Sequence, residues 1–359
     1  PPVQPGDWIA AGEHPVNAFT TAVFTAEGDV LGVTNFGDVV VVDPESGRVL
    51  NEPYRLPTVL SPYSELFPLP DSLLSDGLMD TQFREWVWQL IFGGSMRSAN
   101  TPSISDNNRV FVVGSSTREG IGALIGLDVD TSVQPVLVHE AFITEIGIGS
   151  GSSPALAPGA DQAYVCDEEG WFYGIDTKTG AINWKIETRA TAGAAAVGKD
   201  GLIYALQNAP EPVVAISPEG QILWQGDLST VFSGLPSSWL LGDPVGSANG
   251  NLVVTDDAVL VPVAFGYKLP VLDVMVPVTS HVVALDLETG KALRLLAPLA
   301  DDSSGITGVL PDGTLVNSLG AVTSSAVAQL KPLADLLLPG HLEVLEARGG
   351  IQVSSPKQE

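Results

Sequence analysis

The residue types that most often perform catalysis are few and scattered in this sequence. Its histidines are His14, His139, His281 and His341. Their spacing is not typical of metal ligands. Cys166, the single cysteine, lies in the apolar run QAYVC, which predicts a buried thiol rather than a nucleophile. One cysteine cannot form an intrachain disulfide or a thiolate metal centre, so neither is expected.

Glycine-rich and acidic stretches are the other candidates for ligand binding. GIGALIG (120–126) and GIGSGSS (147–153) match neither a phosphate-binding loop nor a nucleophile elbow. DVDTSVQP (128–135) lacks the glycine and the final glutamate of a calcium-binding loop. DDSSG (301–305) is compatible with a cation, but an exposed capped turn accounts for it more simply. The sequence therefore does not exclude a structural calcium ion, but no motif in it supports one.

A cluster of aromatic side chains lies in the segment 57–98. The cluster consists of Phe83, Trp86, Trp88 and Phe92. Prolines exclude regular structure before about residue 70. Beyond it, apolar residues recur at helical spacing, which predicts a helix of about three turns that is apolar on nearly all sides. Two interpretations stay open: the helix caps one face of the fold, or its aromatic residues bind a partner protein or an apolar ligand.

The elements that must position these residues repeat along the chain. Stretches 37–50, 170–184, 211–224 and 281–295 each place two apolar runs around a polar turn. Three of these turns share Asp, three residues, then Gly: Asp43–Gly47, Asp176–Gly180 and Asp286–Gly290. An aspartate side chain accepts backbone N–H bonds as the chain reverses, and glycine takes the positive φ that closes a hairpin. A looser copy at 122–138 has Asp128 at the expected turn position.

A second hairpin pattern precedes each of these units. It occurs at 20–34, 101–115, 152–166, 192–206, 247–263 and 304–318. Two hairpins in each step of about 40 residues predict an all-β fold, a β-propeller of four-stranded antiparallel blades. We expect six blades in one domain over 1–359, with residues 6–12 adding a strand to the last blade and a disordered tail at 353–359. Strands hidden in 57–98 would raise the number to seven or eight.

The stretch 152–184 resembles a known repeat. Its pattern is similar to the PQQ-like repeat of quinoprotein dehydrogenases and their cofactor-free relatives. The matching residues are Ser153, Pro154, Gly170, Tyr173, Asp176, Gly180 and Trp184. The resemblance is strong over 150–226, weak over 303–355 and absent over 57–98. The dehydrogenases of that family hold the quinone against two adjacent cysteines, which this chain lacks. The resemblance therefore implies the cofactor-free branch, without bound PQQ.

Composition limits the partners. The chain carries 42 Asp and Glu against 16 Lys and Arg, a net charge of −26, which disfavours nucleic acid. No apolar stretch approaches the ~18 residues of a membrane span. Two apolar, proline-bearing segments at 265–280 and 330–345 interrupt the repeat, and we expect them to pack together and to expose apolar patches.

The sequence leaves enzymatic activity open but favours a non-enzymatic role. The first hypothesis is a protein-binding or scaffolding subunit of an extracytoplasmic cell-envelope assembly, periplasmic or secreted. The start at Pro1 without Met fits a removed N-terminal segment that could have anchored the chain to a membrane. The alternative is an enzyme with a channel site, either an atypical PQQ-dependent dehydrogenase or a hydrolase or lyase. Carboxylates expected at one rim are Asp200, Asp256, Asp257 and Asp312.

Overall fold

The structure is a computed structural model. It describes residues 19–62, 95–98, 100–149, 152–190, 194–207, 212–226, 228, 234–248, 250–269, 275–301, 306–319, 331–340, 342–346 and 348–355. The chain divides into two compact units, residues 1–194 with 218–220 and residues 195–217 with 221–359. Each unit is described by itself, and the single domain expected from the sequence stays a prediction.

The first unit contains three four-stranded antiparallel sheets. Its strands are β1 (Phe19–Phe24), β2 (Val30–Thr34), β3 (Asp38–Val42), β4 (Tyr54–Arg55), β5 (Ser61–Pro62), β6 (Ser95–Met96), β7 (Ser103–Ile104), β8 (Arg109–Ser115), β9 (Ile121–Asp130), β10 (Leu137–Ile148), β11 (Ala155–Leu156), β12 (Gln162–Cys166), β13 (Trp171–Asp176) and β14 (Ile182–Glu187). The sheet orders are β1-β2-β3-β4, β10-β9-β8-β7 and β11-β12-β13-β14, and β5 pairs with β6. Each sheet follows chain order, as consecutive hairpins require.

In its described residues, the second unit contains three further sheets and one short helix. Its elements are β15 (Ala196–Val197), β16 (Ile203–Leu206), β17 (Val213–Ile216), β18 (Ile222–Gly226), β19 (Val245–Ser247), β20 (Val253–Val254), β21 (Ala258–Lys268), β22 (Met275–Asp286), β23 (Ala292–Leu299), β24 (Thr307–Val309), β25 (Leu315–Leu319), α1 (Lys331–Leu337) and β26 (Gly350–Ser354). The orders are β15-β16-β17-β18, β19-β21-β22-β23 with β20 also on β21, and β24-β25-β26. Since β19 and β20 pair with different parts of β21, they are an interrupted first strand of one blade.

Alternating apolar residues on the central strands form the core of each unit. In the first unit, Leu31, Val33, Val110 and Val112 of neighbouring sheets are fully buried in one cluster. In the second unit, Val213, Val259 and Val283 belong to a corresponding cluster. The middle strands of each sheet read as nearly continuous β-branched runs because both of their faces are covered.

The repeated turns have the chemistry that their spacing predicts. Asp176 Oδ1 accepts hydrogen bonds from the backbone N–H groups of Lys178 (3.0 Å) and Thr179 (2.7 Å). Gly180 N–H donates to the Asp176 carbonyl at 2.9 Å, and Gly180 has a φ of +74°. The Thr179 hydroxyl donates to Asp176 Oδ1 at 2.7 Å, and this hydrogen bond, followed by those of the two N–H groups, stabilises the ionised carboxylate and lowers the pKa of Asp176. The Asp43 and Asp286 turns are built in the same way.

In two of the described sheets, a tryptophan on the outermost strand packs against the turn of a later hairpin. In the first unit, the Trp184 indole N–H donates to the Pro218 carbonyl at 2.8 Å. Its ring covers Gly174 and Gly220, where an added Cβ would lie 2.2 Å and 2.6 Å from the indole. In the second unit, Trp224 donates to the Leu287 carbonyl at 2.8 Å. The closing tryptophan of the repeat pattern is therefore a packing residue between sheets.

One turn assignment from the sequence is wrong. Asp128 lies inside β9, opposite His139 of β10, rather than in the turn. The hairpin is two residues longer than in the other repeats, and Asp130 caps its turn by accepting from Ser132 N–H at 2.9 Å. Asp128 instead accepts two hydrogen bonds from the Arg109 guanidinium, at 2.6 Å and 2.9 Å. Counting residues could not distinguish the two aspartates because both stand near the end of the apolar run.

The ends of the chain and the 57–98 segment are described only in part. Residues 6–12 and 63–94 lie outside the described residues, so the added strand and the predicted helix stay predictions. The ends of the segment meet, since Ser61 pairs with Met96 in the β5–β6 ladder. At the C-terminus, β26 pairs with β25 through Ser354. The tail predicted from 353 therefore begins no earlier than 355, because Val353 and Ser354 belong to the last sheet.

Candidate partner-binding surface

The aromatic cluster predicted from the sequence lies outside the described residues. Phe83, Trp86, Trp88 and Phe92 all fall within 63–94. Their assignment as a partner-binding site stays a prediction. The described residues contain other groups able to bind or react.

The described candidates for catalysis lie in different environments. Cys166 is buried, and burial raises the pKa of its thiol to about 12, which keeps it protonated and inert. His139 stands on β10, 3.6 Å from Asp128 Oδ2. His281 stands on β22, where its ring meets the edge of Phe265 and burial lowers its pKa. Cys166 and His139 lie on different sheets of the first unit, and His281 lies in the second unit.

A buried acidic turn joins β12 to β13. Asp167 is fully buried, and its Oδ1 accepts from the backbone N–H groups of Glu169 and Trp171, each at 2.9 Å. The Tyr173 hydroxyl donates to Asp167 Oδ2 at 2.7 Å. Both carboxylate oxygens are thus engaged within the turn, which makes Asp167 a structural residue. Burial, with a smaller effect from the Asp167 charge, raises the pKa of the adjacent Glu168 to about 8.

The carboxylates expected at one rim do not converge in a metal site. Asp200 and Asp312 each cap their own turn, by accepting from Leu202 N–H (3.1 Å) and Thr314 N–H (2.9 Å). Asp256 pairs with Lys199 at 2.7 Å. Within the described part of the chain, no three His, Cys, Asp or Glu side chains are grouped so that they could hold a metal ion.

The two most exposed large apolar side chains described in the second unit, Trp239 and Leu336, lie on segments that border one apolar cluster. Three parts of the chain meet there: the loop 234–243, the outer ends of β21 and β22, and α1 with the residues after it. Their buried members include Tyr267, Val276, Ala334, Leu338 and Val344. The segments 265–280 and 330–345 therefore pack together, as the sequence predicts.

The loop 234–243 presents a tryptophan at the tip of a hydrogen-bonded turn. Ser238 and Gly242 exchange two backbone hydrogen bonds of 2.8 Å, which close the turn. The Ser238 hydroxyl accepts from the N–H groups of Leu240 (3.2 Å) and Leu241 (3.1 Å). Trp239 stands at the tip with 92% of its surface exposed. We call residues 238–242 the Trp239 turn.

The base of the Trp239 turn is fixed to the sheet. The Tyr267 hydroxyl of β21 donates to the Pro236 carbonyl at 2.5 Å. Leu235 and Leu241, on either side of the tip, both pack against the apolar cluster. Just outside the turn, the Ser237 hydroxyl donates to Asp243 Oδ1 at 2.6 Å. The exposed indole is thus presented by an ordered structure rather than by a free loop.

The helix α1 is anchored in the same cluster. Val344 N–H donates to Asp335 Oδ1 at 2.9 Å, and Leu345 N–H donates to the Pro277 carbonyl of β22 at 2.7 Å. Lys331 forms an ion pair with Asp335 at 2.9 Å, and the hydrogen bond in this pair raises the pKa of Lys331. On its outer side, α1 exposes 82% of Leu336.

The charges close to this cluster are mostly negative. Lys331 is already neutralised by Asp335. Asp243 and Glu343 are exposed and have no ion-pair partner among the residues that the structure describes. Glu343 also interacts with Lys331 at longer range, so Asp243 is the carboxylate beside the exposed apolar side chains that has no such interaction among the described residues.

Sequence reasoning found two of the three segments that form this surface but missed the loop 234–243. The available signal was PSSWLLGD (236–243), in which Trp and two Leu are enclosed by serines and by Gly-Asp. Such a pattern is typical of a turn. It does not tell which of the apolar side chains points to solvent.

The fold is defined by its repeated unit. Each of the fully paired repeats is a four-stranded antiparallel sheet, and the Asp-x3-Gly turns and closing tryptophans follow the PQQ-like pattern. The protein is thus of the all-β class, a β-propeller built from PQQ-like repeats. The family model PQQ_2, described as "Outer membrane protein assembly factor BamB", matches residues 88–318. The match covers well over half of the sequence, so the chain belongs to this family.

Solved structures similar to the chain include BamB from Moraxella catarrhalis, at 14% identity and a TM-score of 0.46 over 84% of this chain and 80% of that one. The β-propeller domain of Myceliophteria thermophila Cps50 (Swd1) matches at 8% identity with a TM-score of 0.48, over 85% of this chain and 81% of that one. A catalytically inactive virginiamycin B lyase from Staphylococcus aureus matches at 11% identity with a TM-score of 0.45, over 85% of this chain and 80% of that one. The sequence matches none of the curated proteins with which it was compared.

Membrane-spanning helices were also sought. None of the helices in the described residues is both long and apolar enough to cross a bilayer.

Proposed function

We propose that this protein is a non-enzymatic propeller that acts as a protein-binding or scaffolding subunit of an extracytoplasmic assembly in the cell envelope. The observation that carries the proposal is the family match over 88–318, whose description is an outer membrane protein assembly factor. A propeller offers many loops on one rigid scaffold, which suits a subunit that holds other proteins in place.

The hydrogen bonds of the described residues support the view that their polar groups stabilise the fold. The repeat aspartates accept hydrogen bonds from their own turns, and Asp167 is engaged by Tyr173 and by backbone N–H groups. The buried thiol of Cys166 has its pKa raised to about 12. The exposed surface is rich in apolar and acidic side chains, a combination that suits a protein–protein interface.

The test is co-purification in both directions. The chain carries an affinity tag in its native host, and proteins that elute with it in stoichiometric amounts are identified by mass spectrometry. Each candidate is then tagged in turn and must recover this chain. We expect one stable partner located in the envelope. If no reciprocal partner is recovered, or if the partner and this chain reside in the cytoplasm, the proposal is wrong.

The same preparation tests the enzyme alternative. Native protein is analysed by ultraviolet-visible absorption and by elemental analysis for metals. A stoichiometric chromophore or metal would favour an enzyme with a channel site and would contradict the non-enzymatic role. The expected spectrum is that of a protein with its tryptophans and tyrosines alone.

A further inference from the structure

We propose that the Trp239 turn is a docking site for a partner protein that presents an apolar socket rimmed by lysine or arginine side chains. The inference rests on the proposed function, because it names the surface and the kind of partner. It concerns residues outside the aromatic segment 57–98 and is carried by three observations: exposure, a fixed conformation and local charge.

The exposure of Trp239 is the first observation. An indole that is 92% exposed leaves a large apolar surface in water, and the neighbouring Leu240 is 44% exposed. Among the other described tryptophans, Trp184 and Trp224 are half-buried against glycines and donate their N–H to carbonyls, and Trp171 packs against an apolar cluster of the first unit. Trp239 is the exception because it serves no packing role. Tryptophan is also the residue type most enriched at the energetic centres of protein interfaces.

The fixed conformation of the turn is the second observation. Two backbone hydrogen bonds between Ser238 and Gly242 close it. The Tyr267 hydroxyl and the packing of Leu235 and Leu241 hold its base. Because the backbone of the turn is already ordered, it loses little conformational entropy on binding, so more of the apolar contact appears as affinity. A flexible loop with the same sequence would not offer this advantage.

Local charge is the third observation, and it indicates which kind of partner binds the Trp239 turn. Asp243 borders the turn, and Glu343 directly precedes Val344 of the apolar cluster. Two lysines are close in the chain, but Lys331 is paired with Asp335, and Lys268 at the end of β21 also has an interaction partner. Carboxylates around an apolar centre favour a partner with basic residues at its rim. A second copy of this chain would bring like charges together in a two-fold interface. A bilayer with anionic lipids would be repelled for the same reason.

The experiment measures binding to the partner that co-purifies with the wild-type chain. That partner is purified, and its Kd is determined for the wild type, for Trp239→Ala and for Ile351→Ala. Ile351 is a matched control because it is 76% exposed in the same unit but lies on β26, away from the turn. We expect Trp239→Ala to raise Kd at least about tenfold and Ile351→Ala to leave it within about twofold. Both variants should keep the wild-type melting temperature.

A charge variant tests the nature of the rim. Asp243→Asn keeps the oxygen that accepts from Ser237 but removes the charge. It should weaken binding about threefold at low ionic strength, and the difference should vanish in about 0.5 M salt. An effect of Asp243→Asn that does not depend on salt would contradict a basic partner.

Each remaining result decides against the inference. If the partner binds Trp239→Ala as tightly as wild type, the docking site is wrong although the proposed function stands. Loss of binding in Trp86→Ala or Trp88→Ala alone would place the contact in the 57–98 segment instead. A wild-type dimer that Trp239→Ala dissociates in sedimentation would identify self-association. Binding to vesicles of phosphatidylcholine and phosphatidylglycerol that requires Trp239 would identify a membrane contact. If no reciprocal partner exists, both proposals fall.

Discussion

At the scale of single residues, most of the unusual side chains and backbone angles of this protein are accounted for by turns. Asp176 accepts three hydrogen bonds within its own turn, from two N–H groups and the Thr179 hydroxyl. Gly180 closes that turn at a φ that other residues rarely adopt. The energetic cost of altering such a residue depends on what surrounds it as well as on its backbone.

Gly180→Ala should destabilise the protein more than the equivalent change in an open turn. Both Gly180 and Gly47 have positive φ, at +74° and +68°, so alanine is strained at either position. At Gly180 an added Cβ would also lie 2.7 Å from the Phe142 ring, whereas Gly47 has open space. In urea unfolding, we expect the free energy of unfolding to fall by about 1 kcal/mol for Gly47→Ala and by about 2–5 kcal/mol for Gly180→Ala. Equal costs would show that the neighbouring sheet moves freely.

Glu168 should make stability depend on pH. Its folded-state pKa is raised to about 8, mainly by burial, so the folded protein prefers the neutral carboxyl. The stability that this preference contributes is fully present below the unfolded pKa of about 4.3 and is lost as pH rises through the folded pKa. The glutamine of Glu168→Gln stays neutral at every pH. The free energy of unfolding of this variant should therefore exceed that of the wild type by on the order of 3 kcal/mol at pH 9, but by little at pH 4.5.

The measurement is urea unfolding at both pH values. Glu169→Gln is the control, because Glu169 is the exposed neighbour of Glu168 in the same turn. The control should show no comparable difference between pH 4.5 and pH 9. A Glu168→Gln variant that is no more stable than wild type at pH 9 would mean that the carboxyl reaches solvent.

At the scale of elements, three of the described sheets place an aromatic side chain of the outermost strand against the turn of a later hairpin. Trp184 performs this role on β14 and Trp224 on β18. On β10 the corresponding contact is made by Phe142 against Gly180, supported by a 2.6 Å hydrogen bond from the Thr144 hydroxyl to the Gly180 carbonyl. The hydrogen bond of the indole is thus replaceable, but the large flat ring is common to the three sheets.

A double-mutant cycle between Trp184 and Gly220 should show strong coupling. Trp184→Ala removes a half-buried indole and should cost about 3–5 kcal/mol. Gly220→Ala should cost about 2–4 kcal/mol, since its Cβ would meet the indole at 2.6 Å and its φ is +83°. In the double variant the steric part disappears, so the total should be about 1 kcal/mol or more below the sum. Additive costs in urea unfolding would exclude direct contact.

At the scale of the whole molecule, the charge is the dominant property. A net charge of −26 on 359 residues produces repulsion within the folded chain as well as towards nucleic acid and anionic lipids. The ion pairs that the structure describes, such as Arg109–Asp128 at 2.6 Å, offset only part of that charge. The exposed apolar side chains therefore stand on a surface that remains acidic.

Added salt should raise the melting temperature. Screening shortens the range of repulsion among carboxylates from about 30 Å at 0.01 M to about 3 Å at 1 M ionic strength. We expect the temperature to rise between 0.02 M and 0.5 M NaCl by several degrees, roughly 1 kcal/mol or more of stabilisation. KCl at the same ionic strength should give the same shift. A melting temperature that falls with salt would mean that attractive ion pairs outweigh the repulsion.

The sequence by itself determined the repeat and therefore the fold class. Turn chemistry is local: an aspartate, three residues and a glycine specify a hairpin wherever apolar runs flank them, as at Asp176 and Gly180. The same reasoning predicted that Cys166 is buried and that 265–280 and 330–345 pack together. It failed at Asp128, because the length of a hairpin depends on a partner strand that local residues do not specify.

Only the tertiary structure decided which side chains are left for binding. PSSWLLGD contains three large apolar residues in a row, and nothing local distinguishes them. In the fold, Leu241 packs against the apolar cluster while Trp239 is 92% exposed. That difference arises because Tyr267 and α1 come from distant parts of the chain and occupy one side of the turn. Exposure is a property of what packs against a residue, and contacts distant in sequence determine it.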